Sequence, residues 1–274
     1  MQPIIHRHAA WLFLFFAAAF FSIPTLAAPA SRYWALWDKS DESATKTVDH
    51  SLWQGILNDY LIQHPEGNRF NYKKVSSQDK QALKKYLKQL TTIDPRTYNK
   101  KEQKAYWINL YNALTVDLIL THYPIKSITK IGSWWRFGPW DETATHIASQ
   151  NLTLNDIEHR ILRPLWQDKR IHYAVNCASL GCPDLSHQAY TGANTELLLE
   201  AQAERFIQQE KGVNWVDGKL VLSRIYEWYA TDFGNRNELI SHLRQYSTKK
   251  QQKRLLNYTG TQEYQYDWNL NEFK

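Results

Sequence analysis

Both cysteines of the 274-residue chain, Cys177 and Cys182, fall in the segment His172–Pro183 (HYAVNCASLGCP), together with His172, Asn176 and Ser179. Three chemistries are open to this cluster. A thiolate nucleophile needs a base or a helix N-terminus nearby to lower the thiol pKa, and His172 is the base at hand. A disulfide between the two cysteines would close a loop of only a few residues and remove little entropy from the unfolded chain, and two inert buried thiols would do nothing at all. A metal or redox site is the third reading, but two thiols and one imidazole fall short of four ligands, and a four-thiolate zinc site is excluded by the count. Spacing leaves the choice open. His172 and Cys177 would point to opposite faces of a straight strand and would differ by about 140° on a helix, so they meet only if the backbone bends at Asn176-Cys177.

Further polar residues could complete a site. Glu158, in Asn155-Asp156-Ile157-Glu158-His159, reads in two ways: as the far half of a capping box begun by Asn155, with Thr153–Asp156 as an alternative box, or as the carboxylate that orients an imidazole. Asn109 and Asn112 lie three apart in an apolar run and so share a helix face. Buried amides need partners, so the two either tie loops to the helix or line a cleft and bind a carbonyl or peptide group. Asp117 suits the solvated end of the same helix. Trp134, Trp135 and Trp140 fall in an irregular loop where an aromatic surface would suit a glycan or peptide. Most other tryptophans sit at core spacing.

Helices dominate the elements that must position these groups. Leu52, Ile56, Leu57 and Tyr60 recur at helical spacing within 48–63, and Leu83, Tyr86, Leu87 and Leu90 do so within 76–90. The run YWINLYNALTVDLIL within 100–121 is apolar on most of its circumference, which predicts a buried helix. Short helices are expected at 155–163, 195–209, 225–233 and 238–256. Hairpins are expected near 146–154 and 213–222, the second carrying Asp-Gly between two apolar runs; 171–175 alternates like a strand. The fold class is therefore α+β, a helix-dominated single domain over 28–274 with a small antiparallel sheet.

Composition narrows the function classes. Aromatic residues make up 14% of the chain, too many for a disordered protein. Two cysteines cannot form a disulfide scaffold. The excess of 33 basic over 27 acidic residues is mild, and no arginine-rich block points to nucleic acid. Residues 1–27 read as a secretory signal peptide: Arg7, then the uncharged run Ala9–Ser22, then Pro24 with small residues to Ala27. Cleavage near Ala27 would leave 32 basic against 27 acidic residues, a net +5, in a periplasmic or secreted protein. An uncleaved segment would be the one membrane contact.

Several strings in order resemble the bacterial exported branch of the domain of unknown function 547 family: Tyr106–Asn112, Leu154–Arg163, His172–Pro183, Tyr226–Tyr229 with Asp232-Phe233, and Tyr266–Asn271. The resemblance runs from about Phe70 to the C-terminus. It implies roles for Glu158, His172 and Cys177, and makes His159 a bystander and Cys182 a neighbour, since plant-type members carry Ser at the equivalent position. The expectation is a cysteine-dependent hydrolase or acyltransferase acting on amide bonds of a peptide or cell-wall substrate. Cys177 is the nucleophile, His172 the base and Glu158 the orienting acid, with Asn112 or a backbone N–H on the oxyanion. Asn109, Asn112, Ser179 and Trp135 are the expected substrate-binding residues, and no cofactor, metal or nucleic acid is implied. The rival expectation is a non-catalytic envelope module with an aromatic glycan- or partner-binding loop. The sequence leaves the oligomeric state open.

Overall fold

The computed structural model describes residues 28–132 and 137–274, so the expected signal segment and Trp135 lie outside the described residues. Helix α1 (Ser51–Tyr60) leads into the two-residue strands β1 (Leu61–Ile62) and β2 (Arg69–Phe70), followed by α2 (Ser77–Thr91) and α3 (Lys100–His122). The Ser76 hydroxyl accepts from Asp79 N–H and the Asn99 side chain from Glu102 N–H, so both long helices start at side-chain caps. Hairpin β3 (Thr143–Ile147) and β4 (Gln150–Thr153) precedes a π-helical turn, Asp156–Leu162, that runs directly into α4 (Arg163–Trp166). Then come α5 (Thr195–Gln208), β5 (Val213–Val216), β6 (Lys219–Ser223), α6 (Ile225–Trp228), α7 (Ala230–Phe233), α8 (Arg236–Tyr246), α9 (Lys249–Leu256) and β7 (Gln262–Gln265).

The helix-dominated α+β architecture and both hairpins are present. Three departures have local causes. Of residues 171–175, expected to be extended, 171–173 end a 3-10 helix, Lys169–Tyr173, begun where the Asp168 carboxylate accepts from Arg170 N–H, and 174–175 are irregular. The helix expected at 238–256 breaks at Ser247, because Thr248 starts a second capping box with Gln251. The strands form three small sheets rather than one, and β7 pairs with β6 in parallel.

Helix α3 is the hub. From Glu102 to Val116 every residue is buried, which explains why its apolar residues run round the whole circumference. The principal core packs α1, α2 and the π turn around it, and a second cluster joins Tyr173 and Phe206 to β5, β6 and α8. Among the described residues no helix is long and apolar enough to cross a membrane.

Candidate functional site

The polar residues buried on α3 grip loops, since an amide in a core must find partners. Asn109 donates from Nδ2 to the Tyr190 carbonyl at 2.7 Å and accepts from Tyr190 N–H at 3.0 Å. Asn112 does the same one turn on, donating to the Ala174 carbonyl at 2.9 Å and accepting from Asn176 N–H at 2.8 Å. Both amides are thus engaged by main chain, and neither lines the cavity described below. The expectation that they bind substrate, or that Asn112 holds an oxyanion, gives way to the other reading: they tie loops to the helix. Asn112 ties the loop that carries Cys177.

That loop is fixed at many points. Asn176 donates to the Pro183 carbonyl at 2.7 Å and accepts from Ala178 N–H at 2.8 Å. Ala178 takes a left-handed φ of 59°, placing the sharp bend one residue after Cys177. Cys182 N–H donates to the Ser179 carbonyl at 3.1 Å, closing the turn, while Leu180 and Gly181 N–H donate to Asn269 and Asp267 carbonyls at 2.8 Å. Lys211 Nζ holds the far end through the Cys182 carbonyl at 2.7 Å and Asp184 at 2.6 Å.

The two sulfurs face each other at 2.7 Å. Cys177 Sγ also shares hydrogen bonds with the Ser179 hydroxyl and the Tyr266 hydroxyl, each at 3.0 Å, and those hydroxyls are 2.9 Å apart. Burial pushes the Cys177 thiol up, but hydrogen bonds from Cys182, Ser179 and Tyr266 outweigh it and bring the thiol below its ordinary value. Burial and the neighbouring Cys177 charge push Cys182 well above it. Of the pair, Cys177 is the one whose ionisation the surroundings favour. Ser179, expected to touch substrate, is 1% exposed and supports the sulfur instead.

Cys177 and Cys182 open on a cavity of about 860 Å³ that is also lined by Glu158, His159, His172, Tyr229 and Arg224. The His172 ring stacks on Tyr229 with centroids 3.9 Å apart. Its Nε2 donates to Asp232 Oδ2 at 2.8 Å, which leaves Nδ1 as the basic nitrogen of the neutral ring. Nδ1 is buried and has no hydrogen-bond partner among the described residues. Glu158 Oε1 is 3.8 Å from it, within ion-pairing range but too far for a hydrogen bond. The group that orients the imidazole is therefore Asp232, which Arg163 clamps with two further bonds, Nε to Oδ2 at 2.6 Å and Nη2 to Oδ1 at 2.9 Å. Burial pushes the Asp232 carboxyl up, but His172 and Arg163 outweigh this and hold it far below its ordinary value.

Glu158 is not a helix cap. Thr153 and Asp156 form that box, Asp156 N–H donating to Thr153 Oγ1 at 2.9 Å and Thr153 N–H to Asp156 Oδ2 at 3.0 Å, and Asn155 makes no capping bond. The π turn sends Glu158 and His159 into the cavity together. Burial pushes the Glu158 carboxyl up, but His159, His172, the Tyr229 hydroxyl and Arg163 outweigh it and keep it below its usual range. His159 accepts from Arg163 Nη1 at 3.0 Å through Nδ1, and burial lowers its pKa below the ordinary imidazole value.

Aromatic side chains form the opposite wall. Trp268 packs edge-on to Phe137 and Trp140 at 5.0 and 5.7 Å and tilts against Trp228 and Tyr266 at 5.5 and 4.5 Å. Of the three loop tryptophans, Trp140 reaches this wall; Trp134 and Trp135 lie outside the described residues. Ala28 and Pro29 complete the lining, with Arg163 Nη1 donating to the Pro29 carbonyl at 2.7 Å. Among the described residues no three His, Cys, Asp or Glu side chains gather as a metal site. His146 is on β3, bonded to Asn151 at 2.9 Å.

Asp232, Arg163 and Tyr266 were assigned no role from sequence. All three occur in the strings Leu154–Arg163, Asp232-Phe233 and Tyr266–Asn271 that carry the family resemblance, which is the signal the sequence offers. Searches of curated proteins and of solved structures gave no match. Residues 95–207, the stretch that brings Glu158, Arg163, His172 and Cys177 together, match the family model described as "Protein of unknown function, DUF547", which supports a member of that family.

Proposed function

We propose that the protein is an exported thiol-dependent acyl-transfer enzyme, a hydrolase or acyltransferase that opens amide bonds of a peptide or cell-wall substrate. The observation that carries this reading is a thiol favoured as thiolate, Cys177, sharing one cavity with an imidazole whose Nδ1 has no hydrogen-bond partner among the described residues and whose Nε2 is held by a carboxylate. With the Cys177 thiol proton transferred to His172 Nδ1, the sulfur attacks the amide carbonyl and a C–S bond forms. As the C–N bond breaks, His172 gives its Nδ1 proton to the leaving amine. Water or an acceptor amine then takes the acyl group from the thioester, and its proton passes to His172.

Each charge in this scheme has a counterpart. Protonated His172 lies between Asp232 on its Nε2 side and Glu158 on its Nδ1 side, so imidazolium formation is met from both edges. The N–H of Cys177 donates to Cys182 Sγ at 2.9 Å and that of Ala178 to Asn176, so these amides are engaged; the Tyr266 hydroxyl, 3.0 Å from the sulfur and on the cavity wall, is the donor nearest a developing oxyanion. The aromatic wall suits the apolar or ring faces of a substrate, and Arg224 suits a carboxylate.

The test is alkylation of the fully reduced protein with iodoacetamide across pH. The Cys177 rate is expected to titrate below the free-thiol value of about 8.5, and Tyr266→Phe to move the midpoint upward. An ordinary midpoint for Cys177 would sink the proposal.

A further inference from the structure

We infer that Cys182 is the resolving thiol of a redox pair: it converts Cys177, once attacked by a low-molecular-weight disulfide, into a reversible intramolecular disulfide that takes the nucleophile out of use. The sulfurs stand 2.7 Å apart, and a disulfide bond is about 2.0 Å long. They need to close by well under an ångström. The turn between them is held in place by Cys182 N–H to the Ser179 carbonyl and by Leu180 and Gly181 to the segment at Asp267–Asn269, so the two thiols stay adjacent.

The two thiols differ as attacking and resolving groups must. Both thiols line the cavity, but Cys177 is half-buried whereas Cys182 is 5% exposed. A bulky disulfide that enters the cavity meets Cys177 first, while the Cys182 sulfur sits against it. The Cys177 N–H, donating to Cys182 Sγ at 2.9 Å, offers a hydrogen bond to negative charge as that thiol ionises. Such a short loop contributes less to stability than a long-range bridge, so a bond here acts on reactivity.

The exchange balances in two steps. Cys177 thiolate attacks one sulfur of glutathione disulfide; a mixed disulfide forms and the first glutathione thiolate leaves and takes a proton. Cys182 then loses its proton to solvent and attacks the Cys177 sulfur. The intramolecular S–S bond forms as the second glutathione leaves, so the protein dithiol is oxidised by two electrons and the glutathione disulfide is reduced to two thiols.

This inference shares with the proposed enzyme only the premise that Cys177 is the reactive thiol; it does not depend on amide chemistry. The full chain is equilibrated in reduced and oxidised glutathione at graded ratios, quenched in acid and counted for free thiols by mass spectrometry after maleimide labelling. Both thiols are expected to disappear together in one transition of a monomeric species, with the iodoacetamide rate at Cys177 falling at least 100-fold. Cys182→Ser and Cys182→Ala are each expected to stop at a Cys177–glutathione mixed disulfide. Two free thiols in the most oxidising buffer, or a mixed disulfide accumulating in the unmodified chain as it does in the variants, would overturn it. A one-step transition alongside an ordinary Cys177 alkylation midpoint would remove the enzyme proposal and leave this one standing; a depressed midpoint without the transition would do the reverse.

Discussion

Asn112→Ala tests whether α3 builds the site through its buried amides. The substitution removes two hydrogen bonds and strands the Ala174 carbonyl and the Asn176 N–H, both on residues that are at most 3% exposed. Each orphaned buried group costs about 1–3 kcal/mol, so urea denaturation should register a loss of about 2–5 kcal/mol. Asn109→Ala is the matched control: it also removes two bonds, to Tyr190, inside the same helix but away from the cysteines. The two variants should lose comparable stability. They should differ at the thiol. Asn176 braces the Cys177 turn through Pro183 and Ala178, so in Asn112→Ala the Ser179 and Tyr266 hydroxyls lose their fixed approach to the sulfur and the alkylation midpoint of Cys177 rises; in Asn109→Ala it stays. A loss below about 0.5 kcal/mol in Asn112→Ala, or equal midpoint changes in both variants, refutes the assignment of Asn112 as the anchor of the cysteine loop.

Gly181→Ala should loosen the same turn from the other side, because an added Cβ would sit 2.7 Å from Asp267 N and 3.1 Å from Asp267 O, main-chain atoms that cannot swing away. A loss of about 1–3 kcal/mol in urea denaturation should accompany an upward shift of the Cys177 alkylation midpoint as Tyr266 is displaced. Acid sensitivity should begin above the carboxylate range. Burial lowers His50 and His242 to about 4, whereas the unfolded value is about 6.5; below pH 6.5 the unfolded chain binds protons that the folded chain refuses, so stability falls as pH falls. The loss amounts to about 2 kcal/mol per histidine by pH 5, and stability measured at pH 7, 6 and 5 should show a shallower slope in His242→Phe.

Much of the scaffold was legible because local and global signals agreed. The apolar run of α3, the helical spacing of Leu83, Tyr86, Leu87 and Leu90, and the Asp217-Gly218 turn with φ of 49° and 79° each point to the element that forms. What escaped was set by partners distant in sequence. Residues 171–175 alternate like a strand, yet among the described residues no strand pairs with them, and the Asp168 cap turns 171–173 into the end of a 3-10 helix. Strand β7, Gln-Glu-Tyr-Gln, lacks an apolar face and is recognisable only by its pairing with β6. The cluster at 172–183 was visible, as was Glu158, but the choice between cap and site for Glu158 depended on Thr153 and Asp156 claiming the cap. His172 meets its carboxylate 60 residues on and Cys177 its hydroxyl 89 residues on; no periodicity reports such contacts.

The 89-residue separation between Cys177 and Tyr266 also orders events in time. A chain made at roughly 5–20 residues per second holds both thiols for some seconds before Tyr266, or the Asp267–Asn269 segment that ties their turn, has been made. During that interval Cys177 has Cys182 and Ser179 beside it but not Tyr266. A chain interrupted before Tyr266 would contain all of residues 95–207 and both sulfurs, yet lack the hydroxyl and the main-chain ties that finish the site. Completion of the cysteine site is thus a late step of biosynthesis, governed by the tail rather than by the stretch in which the cysteines are encoded.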